Sequence, residues 1–285
     1  MTDLVDGRAI AAALTEQTAA AVAGLRAQGG RPALAVLVAT PDAGAAWYLR
    51  AIERTAARAG IDAQAHRLPG VPGAADISSR LAALSADPAV HGIVCQTPLP
   101  PGASLATVGP AIAPGKDVDG ANPASLGAVA TGLPGAFPPA TAAAVLHILR
   151  RSDVPLRGQR AVVVGRSTVV GKPVALLLLA ADATVTICHS RTPDLAAVCR
   201  EADVLVVAAG RAGLIGAGHV RPGAVVIDVG TNPSAAGGLT GDVDAAAVTG
   251  IAALLSPVPG GVGPVTTAML MSHTADAAAR AVPAV

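Results

Sequence analysis

The chain has 285 residues, of which 52% are hydrophobic and only 1% aromatic, and its formal net charge is +1. So few aromatic rings, and no dense patch of lysine and arginine, argue against nucleic-acid binding by base stacking or phosphate contacts. The three cysteines, Cys95, Cys188 and Cys199, lack zinc-ligand spacing and are too few for a disulfide framework. We therefore expect no metal site and a reducing compartment.

The sequence also argues against export and membrane insertion. The N-terminus lacks the basic region of a secretory signal, and the longest apolar run, 174–181, is too short to span a bilayer. We expect a soluble, cytoplasmic protein with no membrane or nucleic-acid partner.

The first half of the chain alternates between helices and short strands. We predict helices at 6–28, 45–60 and 75–84, and strands at 33–39, 63–68 and 91–95. This alternation is typical of a parallel α/β sheet. Prolines and glycines are dense between 98 and 139, so we expect a domain junction in or just after that segment.

The second half repeats this alternation. We predict helices at 141–150 and 193–201, and strands at 161–164, 184–188, 204–208 and 224–229. The segment 256–264, SPVPGGVGP, is predicted to be irregular, and 265–281 to be a closing helix. The sequence thus predicts two α/β domains, 1–137 together with the closing helix (265–285), and 138–264.

The segment Ala161–Pro173, AVVVGRSTVVGKP, predicts a phosphate site. A β-branched strand ends at Gly165, and Gly171 opens an apolar helix. Glycine lets a ligand approach the backbone, and the first N–H groups of a helix favour an anion. Because Ser167 replaces the second glycine of the GxGxxG fingerprint, an ordinary strand-to-helix connection remains the alternative.

The end of the next strand favours NADP over NAD. In dinucleotide folds this position meets the ribose, where an acid selects NAD and an arginine accommodates the 2′-phosphate. Here the strand 184–188 is followed by His-Ser-Arg-Thr, in which Ser190 and Arg191 are donors, and Arg166 adds a cation. The alternative is that these arginines are only solvated surface residues.

Three further segments are candidate ligand contacts. Gln96 follows a strand, at the edge where α/β sheets bind ligands, although it has a capping role as the alternative. Lys116–Gly120, KDVDG, carries two carboxylates suited to a cation or a heterocycle, but its composition favours a simple turn. Pro257–Pro264 has a backbone that can lie close to a ligand, or it is a crossover between domains.

Taken together, the motifs closely resemble the methylenetetrahydrofolate dehydrogenase / methenyltetrahydrofolate cyclohydrolase family. They occur in the order Tyr48, CQTPLP, KDVDG, VGRSTVVGKP, TVTICHSRT, DVGTN, GDVD and PVPGGVGPVTTAML. The resemblance covers nearly the whole chain. It implies a folate-binding domain, a Rossmann-type NADP domain, a cleft between them and a homodimer. It also implies two reactions of one-carbon metabolism, oxidation of 5,10-methylenetetrahydrofolate by NADP and hydrolysis of the methenyl product to 10-formyltetrahydrofolate.

The resemblance also implies roles for individual residues. The tyrosine matching Tyr48 lies against the folate ring, and the residues matching Gln96 and Asp119 contact folate and assist catalysis. Cofactor contacts match Gly165, Arg166, Ser167, Ser190 and Thr231, to which the glycine turn adds Gly171 and the end of the strand 184–188 adds Arg191. Pro259, Gly260 and Gly261 match a backbone strip along the folate.

One departure from the family pattern bears directly on the chemistry. The family helix reads Tyr-x-x-x-Lys, and that lysine handles protons in the hydrolase step, whereas this chain has Ile52 four residues after Tyr48. Residues four apart share a helix face, so we expect Ile52 to line the same substrate site. Isoleucine cannot titrate, so we expect the dehydrogenase activity with a weak or absent cyclohydrolase. The alternatives are a fully bifunctional enzyme and a non-catalytic, NADP-binding paralogue.

Overall fold

The computed structural model describes residues 1–40, 42–234 and 237–281, which form two compact α/β units. One unit comprises Met1–Ala11 and Thr141–Thr266, and we call it the sheet-A unit. The other comprises Ala12–Ala140 and Thr267–Val285, and we call it the sheet-B unit. The predicted fold class, two α/β units with parallel sheets, is confirmed.

The described elements follow the chain as ten α-helices and eleven strands. The helices are α1 Gly7–Ala27, α2 Ala43–Ala59, α3 Ala74–Ala86, α4 Leu105–Val108, α5 Pro123–Thr131, α6 Ala140–Arg151, α7 Gly171–Ala180, α8 Leu195–Arg200, α9 Ala245–Val248 and α10 Val262–Ala281. The strands are β1 Asp3–Leu4, β2 Ala33–Val38, β3 Asp62–Arg67, β4 Gly92–Cys95, β5 Arg160–Val164, β6 Thr184–Cys188, β7 Val204–Val207, β8 Val225–Asp228, β9 Asn232–Pro233, β10 Leu239–Thr240 and β11 Leu254–Leu255. Among these helices, none is both long and apolar enough to cross a membrane.

The sheet-A unit is built on six parallel strands in the order β1-β11-β8-β7-β5-β6. The central strand β7 is buried along its whole length, as expected for a parallel sheet covered on both faces. All five strands from β11 to β6 present their carboxyl ends at one edge, where α/β sheets bind ligands. The prediction of an irregular segment at 256–264 is wrong at its end, because α10 begins at Val262.

The sheet-B unit is built on three parallel strands in the order β3-β2-β4. Leu37, Ile93, Ile77 and Leu81 are fully buried and form part of its core. Helix α2 begins after Asp42, whose carboxylate accepts from the Ala45 N–H at 2.8 Å, and ends at Gly60 in the left-handed conformation. These two caps set the limits of α2.

Candidate functional site

Four of the predicted site residues lie in the sheet-B unit, namely Tyr48, Ile52, Gln96 and Asp119. Gln96 follows β4 directly and is 4% exposed. Its backbone N–H donates to the Leu37 carbonyl at 3.0 Å, and its side-chain Nε2 donates to the Ala45 carbonyl on α2. The amide nitrogen is used in this way, and Oε1 has no hydrogen-bond partner among the residues that the structure describes.

Helix α2 presents Tyr48 and Ile52 on one face, as predicted from their spacing. The same face carries Ala45, Leu49 and Ala56, all buried. Burial, with a further contribution from the negative charge of Asp119, raises the pKa of Tyr48 far above its ordinary value. Ile52 is completely shielded from solvent, so the lysine position of the family pattern holds an apolar side chain in a dry environment.

The two aspartates of KDVDG have different environments. Asp117 is completely buried, and its carboxylate accepts from the backbone N–H groups of Ala121 and Asn122, each at 2.8 Å, and from the Ser125 hydroxyl at 2.5 Å. These bonds stabilise the turn that leads into α5. The composition of KDVDG predicted such a turn for the whole motif. Asp117 is therefore a structural residue.

The environment of Asp119 differs from that of Asp117. Burial, together with repulsion from Asp117, raises its pKa to about 7, although a hydrogen bond from the Ala140 backbone N–H opposes the shift. Its charge in turn raises the pKa values of Tyr48 and of Cys95, the last residue of β4, although burial is the larger cause in both. Asp119, Tyr48 and Cys95 thus form one electrostatically coupled cluster, in which only Asp119 titrates near neutral pH.

The backbone between the two aspartates is held from two sides. Asp117 forms an isolated parallel bridge with Ile93 of β4. On the other side, Nδ1 of the buried His273, on α10, lies 2.9 Å from the Val118 carbonyl oxygen. Since a carbonyl can only accept, Nδ1 carries the hydrogen. The His273 ring packs on Phe137 at 5.2 Å between centroids, and this anchor fixes the loop that carries Asp119.

In the sheet-A unit, the glycine turn after β5 lies beside the end of β6. The Gly165 N–H donates to the Cys188 carbonyl at 2.9 Å. Gly165 has φ of 132°, and a Cβ there would lie 2.1 Å from the Ala208 carbonyl oxygen. A Cβ on Gly171 would lie 2.2 Å from the Gly165 carbonyl oxygen. Only glycine fits at both positions, which leaves the turn open to a closely approaching ligand.

The polar side chains around this turn suit a 2′-phosphorylated dinucleotide. Ser167 accepts from the N–H groups of Val170 and Gly171 at 3.2 and 3.3 Å, so it caps the start of α7 and keeps a hydroxyl hydrogen to donate. Arg166, Ser190 and Arg191 are all exposed. Within the described ranges, neither arginine forms an ion pair with a carboxylate. These residues fit NADP, whose phosphates require such donors.

A pair of buried carboxylates, which the sequence reasoning missed, holds the loops after β7 and β8. Asp242 is completely buried and accepts from the N–H groups of Ala209, Gly210 and Arg211 at 2.6–2.9 Å, and from Asn232 Nδ2 at 2.8 Å. Asp228 accepts from the N–H groups of Gly230, Asp242 and Val243 at 2.9–3.0 Å.

Thr231, a predicted cofactor contact, is exposed. Its two neighbours are held by these carboxylates, because Gly230 donates to Asp228 and Asn232 donates to Asp242. A cavity of about 370 Å³ opens nearby, lined in part by Asp228, Thr240, Gly241 and Ser256. The sequence signal that could have identified this pair is Asp228, an aspartate at the end of the buried strand β8.

The strip Pro259–Gly261 also belongs to the sheet-A unit. The Gly261 N–H donates to the Pro257 carbonyl at 2.8 Å, and a Cβ on Gly7 would lie 1.9 Å from the Gly261 carbonyl oxygen. Upstream, the Ser256 hydroxyl accepts from the Asp228 N–H at 2.8 Å. The strip is thus fixed to α1 and to the end of β8. In the described part of the chain, no group of three His, Cys, Asp or Glu side chains is arranged to hold a metal.

Comparison with known proteins assigns both halves of the chain to one family. Residues 5–119 match the model for the catalytic domain of tetrahydrofolate dehydrogenase/cyclohydrolase, and residues 139–282 match its NAD(P)-binding domain. Bifunctional protein FolD of Parafrankia sp. (strain EAN1pec) is 58% identical over 275 residues, covering 96% of this chain and 98% of the relative.

Solved structures give the same result. The bifunctional FolD methylenetetrahydrofolate dehydrogenase/cyclohydrolase from Campylobacter jejuni superposes with a TM-score of 0.95 at 34% identity, over 99% of this chain and 100% of that one. The Trypanosoma brucei FolD enzyme, solved with NADP cofactor and an inhibitor, superposes with a TM-score of 0.93 at 38% identity, over 99% of both chains.

Proposed function

Since this chain belongs to the tetrahydrofolate dehydrogenase/cyclohydrolase family and takes NADP as its cofactor, we propose that it oxidises 5,10-methylenetetrahydrofolate to the 5,10-methenyl form and hydrolyses that product slowly or not at all. The slow or absent hydrolysis is inferred from Ile52, which is completely buried on the Tyr48 face of α2. An apolar side chain there cannot transfer a proton, and a positioned acid or base is typically worth about 10²–10⁴ in rate.

The residues of the sheet-B unit suit the dehydrogenase reaction. Bound NADP supplies the hydride acceptor, so the protein must chiefly hold the two rings in the right geometry. Tyr48 offers an aromatic face for the folate ring. Gln96 Oε1 and the Asp119 carboxylate are acceptors for the N–H groups of the reduced pterin. None of these tasks requires a lysine.

One observation favours a second candidate, a fully bifunctional enzyme. The pKa of Asp119 is raised to about 7, close to the value that suits a general acid or base at neutral pH. Asp119 is a candidate for the proton transfers of the hydrolysis in place of the missing lysine. In that case the methenyl product would be hydrolysed as fast as it forms.

A two-wavelength assay separates these candidates. With purified protein, methylenetetrahydrofolate and NADP, we expect NADPH absorbance and methenyl absorbance to rise together, with little loss of the methenyl signal afterwards. Methenyl loss well above the uncatalysed rate would support the bifunctional candidate. Tight NADP binding with no NADPH formation at high enzyme concentration would contradict both and favour a non-catalytic paralogue.

We further propose that the enzyme is a homodimer joined through the β6 edge of the sheet-A unit. Ile187 on β6 is 43% exposed and Leu179 on the neighbouring α7 is 60% exposed, beside the unpaired edge of β6. Sedimentation velocity is expected to give the mass of two 27.6 kDa chains. Ile187→Lys is expected to shift the protein toward the monomer, and a monomeric wild type would contradict the proposal.

A further inference from the structure

Two polar atoms at the carboxyl edge of the three-stranded sheet lack partners. Within the described ranges, Thr40 Oγ1 and Gln96 Oε1 are the buried side-chain oxygen or nitrogen atoms that make no hydrogen bond. Thr40 lies two residues beyond the end of β2, and Gln96 directly follows β4. Since β2 and β4 pair in parallel with Leu37 opposite Cys95, both residues lie at the same edge of the sheet.

The Thr40 hydroxyl differs from the helical threonines. In six of those, the hydroxyl donates to the carbonyl four residues earlier, at Thr18, Thr55, Thr131, Thr249, Thr266 and Thr274. The Thr40 backbone is also committed, since its carbonyl accepts from the Asp42 N–H at 3.0 Å. Asp42 in turn uses its carboxylate to cap α2. Among the described residues, the Thr40 hydroxyl therefore has no hydrogen-bond partner.

A buried polar group without a partner destabilises the folded protein, so such groups point to a ligand that satisfies them. The neighbouring Gln96 Oε1 is an acceptor, because Nε2 is used by the Ala45 carbonyl. Asp119 in the same unit is an acceptor when ionised. A heterocycle bound here would donate its N–H groups to Gln96 Oε1 and to Asp119. Because a hydroxyl both donates and accepts, Thr40 can hydrogen-bond either a donor or an acceptor atom of the same heterocycle.

We propose that Thr40 is a substrate-binding residue, whose hydroxyl hydrogen-bonds the polar edge of the folate heterocycle beside Gln96 Oε1. The proposal rests on the proposed function for the substrate class. It assigns Thr40 a role in substrate affinity and none in the transfer of the hydride.

The test is the pair of variants Thr40→Val and Thr40→Ser. Thr40→Val removes the hydroxyl and keeps the shape, so we expect the KM for methylenetetrahydrofolate to rise about tenfold while the KM for NADP stays constant. Without substrate, the Tm of Thr40→Val is expected to equal or exceed that of the wild type, because an unsatisfied hydroxyl has been removed. Thr40→Ser is expected to recover most of the affinity.

Thr18→Val is the matched control. Thr18 is buried, whereas Thr40 is half-buried with a buried hydroxyl oxygen, and the Thr18 hydroxyl already donates to the Leu14 carbonyl at 2.8 Å. We expect this variant to show the opposite pattern, a lower Tm with an unchanged KM. A wild-type folate KM in Thr40→Val, or a loss of Tm like that of Thr18→Val, would overturn the proposal.

Calorimetric titration of tetrahydrofolate separates this proposal from the proposed function. If the wild type binds tetrahydrofolate without turning over methylenetetrahydrofolate, the proposed function fails. Weaker binding by Thr40→Val would then still support Thr40 as a binding residue, and equal binding would overturn it. A wild type that does not bind tetrahydrofolate would overturn both.

Discussion

Asp119→Asn is expected to lower kcat/KM for methylenetetrahydrofolate about 10²-fold. The variant keeps the shape of the side chain but loses the carboxylate, and hydrogen bonds to charged groups are worth about 1.5–3 kcal/mol each. Initial rates of NADPH formation at saturating NADP measure the effect. Asp117→Asn is the matched control in the same loop, because its carboxylate is used by backbone N–H groups and Ser125. We expect that variant chiefly to lose about 2 kcal/mol of stability.

The pH dependence gives this prediction a second readout. With a pKa of about 7, Asp119 is ionised above neutral pH and protonated below it. If the carboxylate accepts from folate, the folate KM of the wild type falls between pH 6 and pH 8, and that of Asp119→Asn stays flat. Equal pH profiles, or wild-type kinetics in the variant, would contradict a role for Asp119 in substrate binding.

The same shift has a definite sign for stability. The pKa of Asp119 is raised on folding, so the unfolded chain releases this proton at lower pH than the folded chain. Its contribution to the free energy of unfolding therefore decreases as pH rises from the ordinary aspartate range to about 7. At pH 8 the Tm of Asp119→Asn is expected to exceed that of the wild type.

Ile52→Lys is expected to raise cyclohydrolase activity by about 10²–10⁴-fold, the usual contribution of a positioned acid or base. A lysine at this position projects from the Tyr48 face of α2 and toward the N-terminus of the helix. On that face, Gln96 Nε2 donates to the Ala45 carbonyl. Gln96 Oε1 can therefore accept a hydrogen bond from the lysine ammonium group. Decay of methenyltetrahydrofolate above the uncatalysed rate measures the gain.

The control for this gain is Ile52→Met, which disturbs the same packing without adding a charge. Because Ile52 is completely buried, the lysine variant is expected to lose about 2–4 kcal/mol of stability, so the assays belong at 25 °C. If Ile52→Lys hydrolyses the methenyl compound no faster than Ile52→Met, other differences on the folate side have altered the site. If the wild type already hydrolyses it rapidly, the proposed function is wrong.

The regular elements were predictable because their periodicity extends over several residues. The strand predicted at 33–39 is β2, which ends one residue earlier, and the strand predicted at 184–188 is β6, whose limits are as predicted. The strands β1 and β11 have two residues each, too few for any periodic pattern, and they were missed. Pro264 made the start of α10 look irregular, yet proline is tolerated in the first helical turn, where its missing N–H has no partner to bond.

Residues of the candidate site could be proposed from the sequence where a residue type or its spacing is unusual. They could not be proposed where the role depends on a partner far along the chain. Ile52 was noticed because the resemblance predicts a lysine four residues after Tyr48, and this chain has isoleucine there. The different environments of Asp117 and Asp119 were not visible in the sequence, since burial and the bonds to Ala121, Asn122 and Ser125 create the difference. The free hydroxyl of Thr40 was also hidden, because an unmade bond has no sequence signature.

The bond between His273 and Val118 bears on how this chain folds during synthesis. The loop that carries Asp119 is anchored by a residue made 155 positions later, and β1 pairs with β11, near the end of the sheet-A unit. Domains usually fold one after the other as the ribosome releases them. The sheet-B unit includes most of α10, so the loop that carries Asp119 gains its His273 anchor only after that helix has been translated.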